Sequence, residues 1–181
     1  MKTLKSYIDH ERAVPLSADR LRSFVQRKGL KFMEFQSFKG STAASLLAGH
    51  KGVVVLLHKD GGSIGHYVLF FRGSHGLEYF DSYGLAPNRL CAILGFSHSD
   101  THRFLRVVSQ CKYHRVRLQA RQSDTNTCGR YAVCRYNFLW ATTAQFAAMM
   151  RHPSLSPDDV VTLLTLSADL SHWQQVLKDE R

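Results

Sequence analysis

Residues 53–81 read VVVLLHKDGGSIGHYVLFFRGSHGLEYFD, and this stretch decides the fold class. Val53–Leu57 is an apolar run of strand length, rich in β-branched residues. Lys59-Asp60-Gly61-Gly62 interrupts it as a turn. His66–Phe71 is a second apolar run, and Ser74-His75-Gly76 a second turn. Leu77–Asp81 then alternates Leu77, Tyr79 and Asp81 against Glu78 and Phe80. Three runs joined by short Gly-containing loops predict an antiparallel meander.

Outward from the meander the period changes. Ser17 ahead of Leu21, Phe24 and Val25 predicts a capped helix ended by Gly29. Residues 30–50 read as irregular, anchored by Phe32, Phe35 and Phe38. Arg89–Leu94 behind Pro87, and Asp100–Gln110, are short helical candidates. Tyr113–Leu118 alternates like a fourth strand. From Cys128 the spacing of Val133, Tyr136, Trp140 and Phe146–Met150 predicts one long helix ending near Arg151–Pro153. Ser156-Pro157-Asp158-Asp159 is a helix start, and Val160, Leu163, Leu164 and Leu166 form the apolar side of the helix that follows. The fold class is α+β: a mixed, mainly antiparallel central sheet, with residues 1–181 as one domain.

Composition narrows the function classes. With 44% hydrophobic and 21% charged residues the chain is globular rather than disordered. No apolar run approaches the roughly 20 residues that span a bilayer, so no membrane partner is expected. Met1–Arg12 lacks the apolar segment of a secretory signal, so an intracellular, reducing environment is expected. Cys91, Cys111, Cys128 and Cys134 are too few for a disulfide scaffold and read as free thiols. A net charge of +10 favours contact with polyanions such as DNA, although no basic run with interleaved aromatics occurs.

Chemistry concentrates at a few positions. Cys128, in Asn126-Thr127-Cys128-Gly129-Arg130, opens the predicted long helix, where amide dipoles favour a thiolate. Cys91, Cys111 and Cys134 read as packed thiols. A thiol nucleophile needs a base, and His suits neutral pH. Among ten histidines, His66 stands apart because it starts an apolar strand directly after Gly65. If strands 66–71 and 77–81 pair as a hairpin, Asp81 returns to the same end of the sheet, where it can orient the imidazole. An aspartate before Ser82 reads equally well as a turn cap. An oxyanion donor is needed near the sulfur, and the Cys128 amide, Gln119 and Gln122 all qualify by type.

Gly65-His66-Tyr67, then Phe80-Asp81-Ser82-Tyr83-Gly84, then Gln122 six residues before Cys128-Gly129 resembles the group of cysteine peptidases that holds the adenovirus proteases (adenain) and the SUMO proteases. The resemblance covers roughly residues 50–140 and is nearer the viral branch, which includes the proteases of adintoviruses, adomaviruses and Polinton-type elements. Tyr67 departs from the usual Trp, and the Gln-to-Cys spacing is nearer the SUMO branch. The resemblance implies a papain-like architecture with His66, Asp81, Gln122 and Cys128 as the catalytic set. It implies a virion maturation protease of virion and host nucleus that cuts structural precursors beside Gly-Gly or Gly-X-Gly sites. It implies no cofactor for the chemistry, a monomer, and activation by DNA and a basic viral peptide. Cys111 lies where such a peptide would attach by a disulfide. A deconjugase of ubiquitin-like modifiers is the rival enzyme. A nucleic-acid-binding protein with an inert site is the rival from another class. Cys111-x-x-His114 with Cys128 and Cys134 supplies zinc-ligand types, but at spacings that match no finger or ribbon.

Overall fold

The computed structural model describes residues 4–27, 30–40, 42–58, 65–120 and 125–166. Among these, the strands β1 (Lys31–Glu34), β2 (Gly52–His58), β3 (Gly65–Gly73), β4 (Gly76–Phe80) and β5 (Lys112–Tyr113) form a sheet in that spatial order. The helices are α1 (Leu4–Ala13), α2 (Ala18–Arg27), α3 (Ala43–Leu47), α4 (Pro87–Leu94), α5 (His98–Val108), α6 (Cys128–Tyr136), α7 (Thr143–Met149) and α8 (157–166). The chain is therefore α+β.

The meander is present. β2 pairs antiparallel with β3 from Gly52↔Phe71 to His58↔Gly65, and β3 with β4 from Leu69↔Phe80 to Gly73↔Gly76. The turn read at 59–62 and the helix stop read at Gly29 lie outside the described residues. The outer pairings, β1 with β2 and β4 with β5, are parallel and short. The sheet is thus mixed, with its antiparallel part in the centre.

The central strands lack a polar alternation because both faces are covered. Val53, Val55, Val68, Phe70 and Tyr79 pack with Leu46 of α3, Leu90 of α4 and Phe104 of α5. Val54, Leu69, Phe71 and Phe80 pack with Leu21 and Val25 of α2, Tyr131 and Val133 of α6, and Phe146 of α7. Each such side chain contributes about 1.5–3 kcal/mol on burial. α6 is consequently fixed by the sheet beneath it.

Several expectations are corrected. Residues 30–50 are not irregular: they hold β1, a single 3-10 turn at Phe35–Ser37 and α3, whose N-cap Thr42 forms a capping box with Ser45. β1 is four residues long and only half-buried, too short to show a period. The strand expected over Tyr113–Leu118 shrinks to Lys112–Tyr113, because Leu118 and Gln119 instead donate their amides to the Ser82 carbonyl. The long helix from Cys128 is two helices. Arg135 turns its guanidinium onto the carbonyls of Phe138 and Ala141 in the break, and a Thr142–Gln145 capping box restarts the chain as α7. Trp140 falls in that break and is exposed rather than in the core. α8 buries Val161, Thr162, Thr165 and Leu166, while Leu164 is exposed.

α6 also carries two fully buried arginines. Arg130 bonds Glu11 of α1 at 2.7 Å and Thr165 of α8 at 3.0 Å. Arg135 lies 3.7 Å from Glu78 and over the ring of Phe71. Each of these cations is matched by a buried glutamate, so the two ion pairs leave the net charge of +10 to the rest of the molecule.

Candidate active site

Three of the four singled-out side chains meet at one end of the sheet. β3 begins at Gly65, which puts His66 at the mouth of the strand, and β4 ends at Phe80, so Asp81 leaves the ladder beside it. His66 Nε2 and Asp81 Oδ1 are 2.7 Å apart, and both side chains are almost wholly buried. Cys128 is the first residue of α6, is partly buried, and hydrogen-bonds the same imidazole. Asp81 occupies Nε2, so Nδ1 is the nitrogen left to face the sulfur.

Asp81 is also the turn cap that its sequence allowed. Its Oδ1 accepts the Tyr83 amide at 2.9 Å and its Oδ2 the Leu85 amide at 3.1 Å. The two readings of this residue are therefore one arrangement: amides lock the carboxylate, and the locked carboxylate fixes the ring. The turn continues through Gly84, at φ 60°, where a Cβ would stand 2.8 Å from the Arg117 amide nitrogen. Tyr83 covers the imidazole, its ring stacked at 4.7 Å and 17° from the His66 plane. Tyr83 stands in the Asp-Ser-Tyr-Gly segment, but nothing in its spacing announces this contact.

The electrostatics of the pair run in opposite directions. Burial alone would depress the His66 imidazolium; the adjacent Cys128 sulfur and the Asp81 carboxylate outweigh burial and push it up to about 10. Burial alone would raise the Cys128 thiol. The charge and hydrogen bond of His66, with the amides of Tyr67 and Gly129, bring it below its ordinary value. Both shifts favour a thiolate–imidazolium pair. The other three thiols move the other way: burial lifts Cys91 to about 11 and Cys111 and Cys134 to about 12. Cys111 sits just beyond α5, its thiol 3.7 Å from the Val107 carbonyl.

Gly129 admits a close approach. A Cβ there would lie 2.9 Å from Leu21 Cδ1 and 3.1 Å from Tyr67 Cδ2. α6 can thus press against α2 and β3, which brings the Tyr67 amide to the sulfur. Gly65 and Tyr67, the neighbours of His66 in β3, line a groove of about 580 Å³ together with Pro15, Leu16, Ala18, Leu56 and Asn126, with Glu34 and His58 3.4 Å apart on one wall.

Of the two glutamines, Gln122 lies outside the described residues. Gln119 is buried and structurally engaged: its Oε1 accepts from the Ser82 hydroxyl at 2.7 Å, and its amide donates to the Thr125 carbonyl at 3.3 Å. It ties the Asp81 turn to the segment that leads into Cys128. Sequence reading also missed Thr127 and Asp158. Thr127 holds the N-cap position of α6, yet its hydroxyl donates to Asp158 rather than accepting an amide of the helix. Among the described residues no three His, Cys, Asp or Glu side chains gather as metal ligands, and no helix is long and apolar enough to cross a membrane.

No family model and no solved structure matches the chain. The chain is similar to a protein of the Sputnik virophage, "Uncharacterized protein V9". The two are 26% identical over 180 residues, which span 92% of this chain and 100% of the virophage protein.

Proposed function

We propose that this chain is a cysteine endopeptidase, with Cys128 as nucleophile, His66 as base and acid, and Asp81 as the group that orients the imidazole. The observation that carries the reading is the meeting of three side chains at one end of the sheet: Asp81 holds His66 Nε2 at 2.7 Å, and Cys128 opens α6 beside that imidazole, whose charge lowers this thiol while burial raises the other three. A buried structural cysteine follows the second pattern.

The chemistry follows from the placement. The Cys128 thiolate attacks a peptide carbonyl carbon, forming a C–S bond and an oxyanion. Amides at the start of α6 and the Gln122 side chain stabilise that charge. The imidazolium of His66 gives its proton to the amide nitrogen as the C–N bond breaks. Water, deprotonated by His66, then hydrolyses the thioester and restores the pair. Asp81 fixes throughout which ring nitrogen faces the sulfur. The groove lined by Gly65, Tyr67, Leu16 and Leu56 supports an extended substrate that places an apolar residue on Leu16 and Leu56 and a glycine next to the sulfur.

The similarity to a virophage protein supports a viral setting, and with it maturation of structural precursors in the virion or host nucleus. DNA as a partner rests on the +10 charge, and a disulfide-linked activating peptide on the position of Cys111. The test compares wild type with Cys128→Ala on a Gly-Gly-containing precursor peptide and on a Gly-Gly-linked ubiquitin-like modifier. Peptide turnover lost in the variant supports the endopeptidase. Turnover of the modifier conjugate alone would replace it with the deconjugase. Equal turnover in both proteins would end the proposal.

A further inference from the structure

Ser156-Pro157-Asp158-Asp159 starts α8, and its two acids part company. Asp159 caps its own helix and also reaches α1: its carboxylate accepts the Ser156 amide at 3.1 Å and Arg12 Nη1 at 3.1 Å, and its amide reaches the Ser156 hydroxyl at 3.1 Å. That leaves Asp158 with no capping duty. Its carboxylate turns inward, with the residue 3% exposed, and grips another segment at two points. Oδ2 accepts the Ala120 amide at 2.9 Å, and Oδ1 accepts the Thr127 hydroxyl. Those points flank residues 121–126, and the second immediately precedes Cys128.

The grip on Thr127 has a chemical consequence. A threonine at the N-cap ordinarily has an extended backbone and accepts a first-turn amide through its hydroxyl. Thr127 does neither: its φ and ψ are −101° and 2°, and its hydroxyl is turned to Asp158. The amides at the start of α6 therefore stay clear of the residue best placed to cap them. One of them, on Gly129, serves the Cys128 sulfur. The same segment is tied at a third point, where Asn126 bonds the carbonyls of Arg12 and Ala13 at the end of α1.

We propose that Asp158 is a positioning residue for the reaction: it clasps Ala120 and Thr127, fixes the approach to Cys128, and holds open the amide end of α6 that stabilises the oxyanion. This rests on the reading of Cys128 as the nucleophile. Burying a carboxylate is costly unless hydrogen bonds compensate it, which Ala120 and Thr127 supply. A single carboxylate can accept at both points, whereas an asparagine can accept at only one.

The experiment uses Asp158→Asn and Thr127→Val in the full chain, with three readouts: kcat and KM on the Gly-Gly peptide, alkylation of Cys128 by iodoacetamide, and amide hydrogen exchange by segment. Losing one charge-assisted bond predicts a fall in kcat of about 10- to 100-fold in each variant, with KM within about threefold. Alkylation stays within about threefold, because His66 and Asp81 are untouched. Exchange rises in the segment spanning 119–128 and is unchanged in β2–β4. The double variant loses no more than the worse single one, since both cut the same clasp. Unchanged exchange at 119–128 overturns the proposal. So does a parallel fall of turnover and alkylation with protection lost throughout, which marks a merely structural residue. If Asp158→Asn does not fold, Thr127→Val carries the same expectations alone, and wild-type kcat in it overturns the clasp. A wild type that alkylates at Cys128 yet cleaves nothing counts against the peptidase reading, while the exchange result still decides the clasp.

Discussion

Asp81→Asn removes a charge while leaving the shape of the side chain. Asp81 accepts three hydrogen bonds, from His66 at 2.7 Å, Tyr83 at 2.9 Å and Leu85 at 3.1 Å. The asparagine offers one oxygen and an NH₂ group in place of two oxygens. If its oxygen faces Leu85, its NH₂ meets the imidazole and selects the wrong tautomer; if it faces His66, the Leu85 amide loses its acceptor. A hydrogen bond to a charged group is worth about 1.5–3 kcal/mol. At 1.36 kcal/mol per tenfold, kcat should fall roughly 10- to 150-fold. A buried amide left unpaired costs about 1–3 kcal/mol of stability as well. The assay pairs steady-state hydrolysis of the Gly-Gly peptide with the pH dependence of Cys128 alkylation, whose midpoint should rise. A variant within about threefold of wild type in kcat, with an unmoved alkylation midpoint, would refute the orienting role.

Other perturbations test neighbouring parts of the account. In Cys128→Ala the sulfur that raises His66 is gone while burial stays, so the imidazole pKa should fall from about 10, as NMR titration of the ring would show. The pair also shapes stability. His66 contributes fully below its ordinary 6.5 and loses its share as pH rises through about 10, whereas Cys128 contributes fully above its ordinary 9.0 and loses its share as pH falls. The two trends oppose each other just below 9.0, and above it only the His66 loss remains, so the pair's contribution to urea stability should decline as pH rises from 9.0 through about 10, and the variant should lose this decline. Gly129→Ala presses a methyl on Leu21 and Tyr67; overpacking of about 1–3 kcal/mol against a helix gain of about 1 predicts a net loss of up to about 2 kcal/mol, readable in denaturant melts. Arg135→Met strands the buried Glu78 and the carbonyls of Phe138 and Ala141 and should cost about 3–5 kcal/mol, with only part of it recovered on adding Glu78→Gln.

The meander and its use were legible because β2 and β3 are apolar on both faces and start on glycines, and a hairpin returns Asp81 to the end of the sheet where β3 starts at Gly65-His66. Cys128 was legible as a helix opening because Gly129 and the apolar spacing follow it. Other features depend on contacts that no local pattern announces. β1 is short and half-buried. The break after Tyr136 is made by Arg135 folding back on carbonyls, against a spacing that would have continued the helix. Asp158 looked like one of two helix-start acids, and only its partners, 31 and 38 residues away, separate it from Asp159. Tyr83 and the Tyr67 amide act through stacking and backbone placement, which residue type does not encode.

The most direct measurement is the alkylation rate of each of the four cysteines against pH, read by mass spectrometry in wild type and in His66→Ala. The account predicts that Cys128 alone reacts with a midpoint below 9.0, that Cys91, Cys111 and Cys134 react only far above it, and that the Cys128 midpoint moves up when His66 is removed. A Cys128 that titrates with the other three, or that is indifferent to the loss of His66, would contradict it.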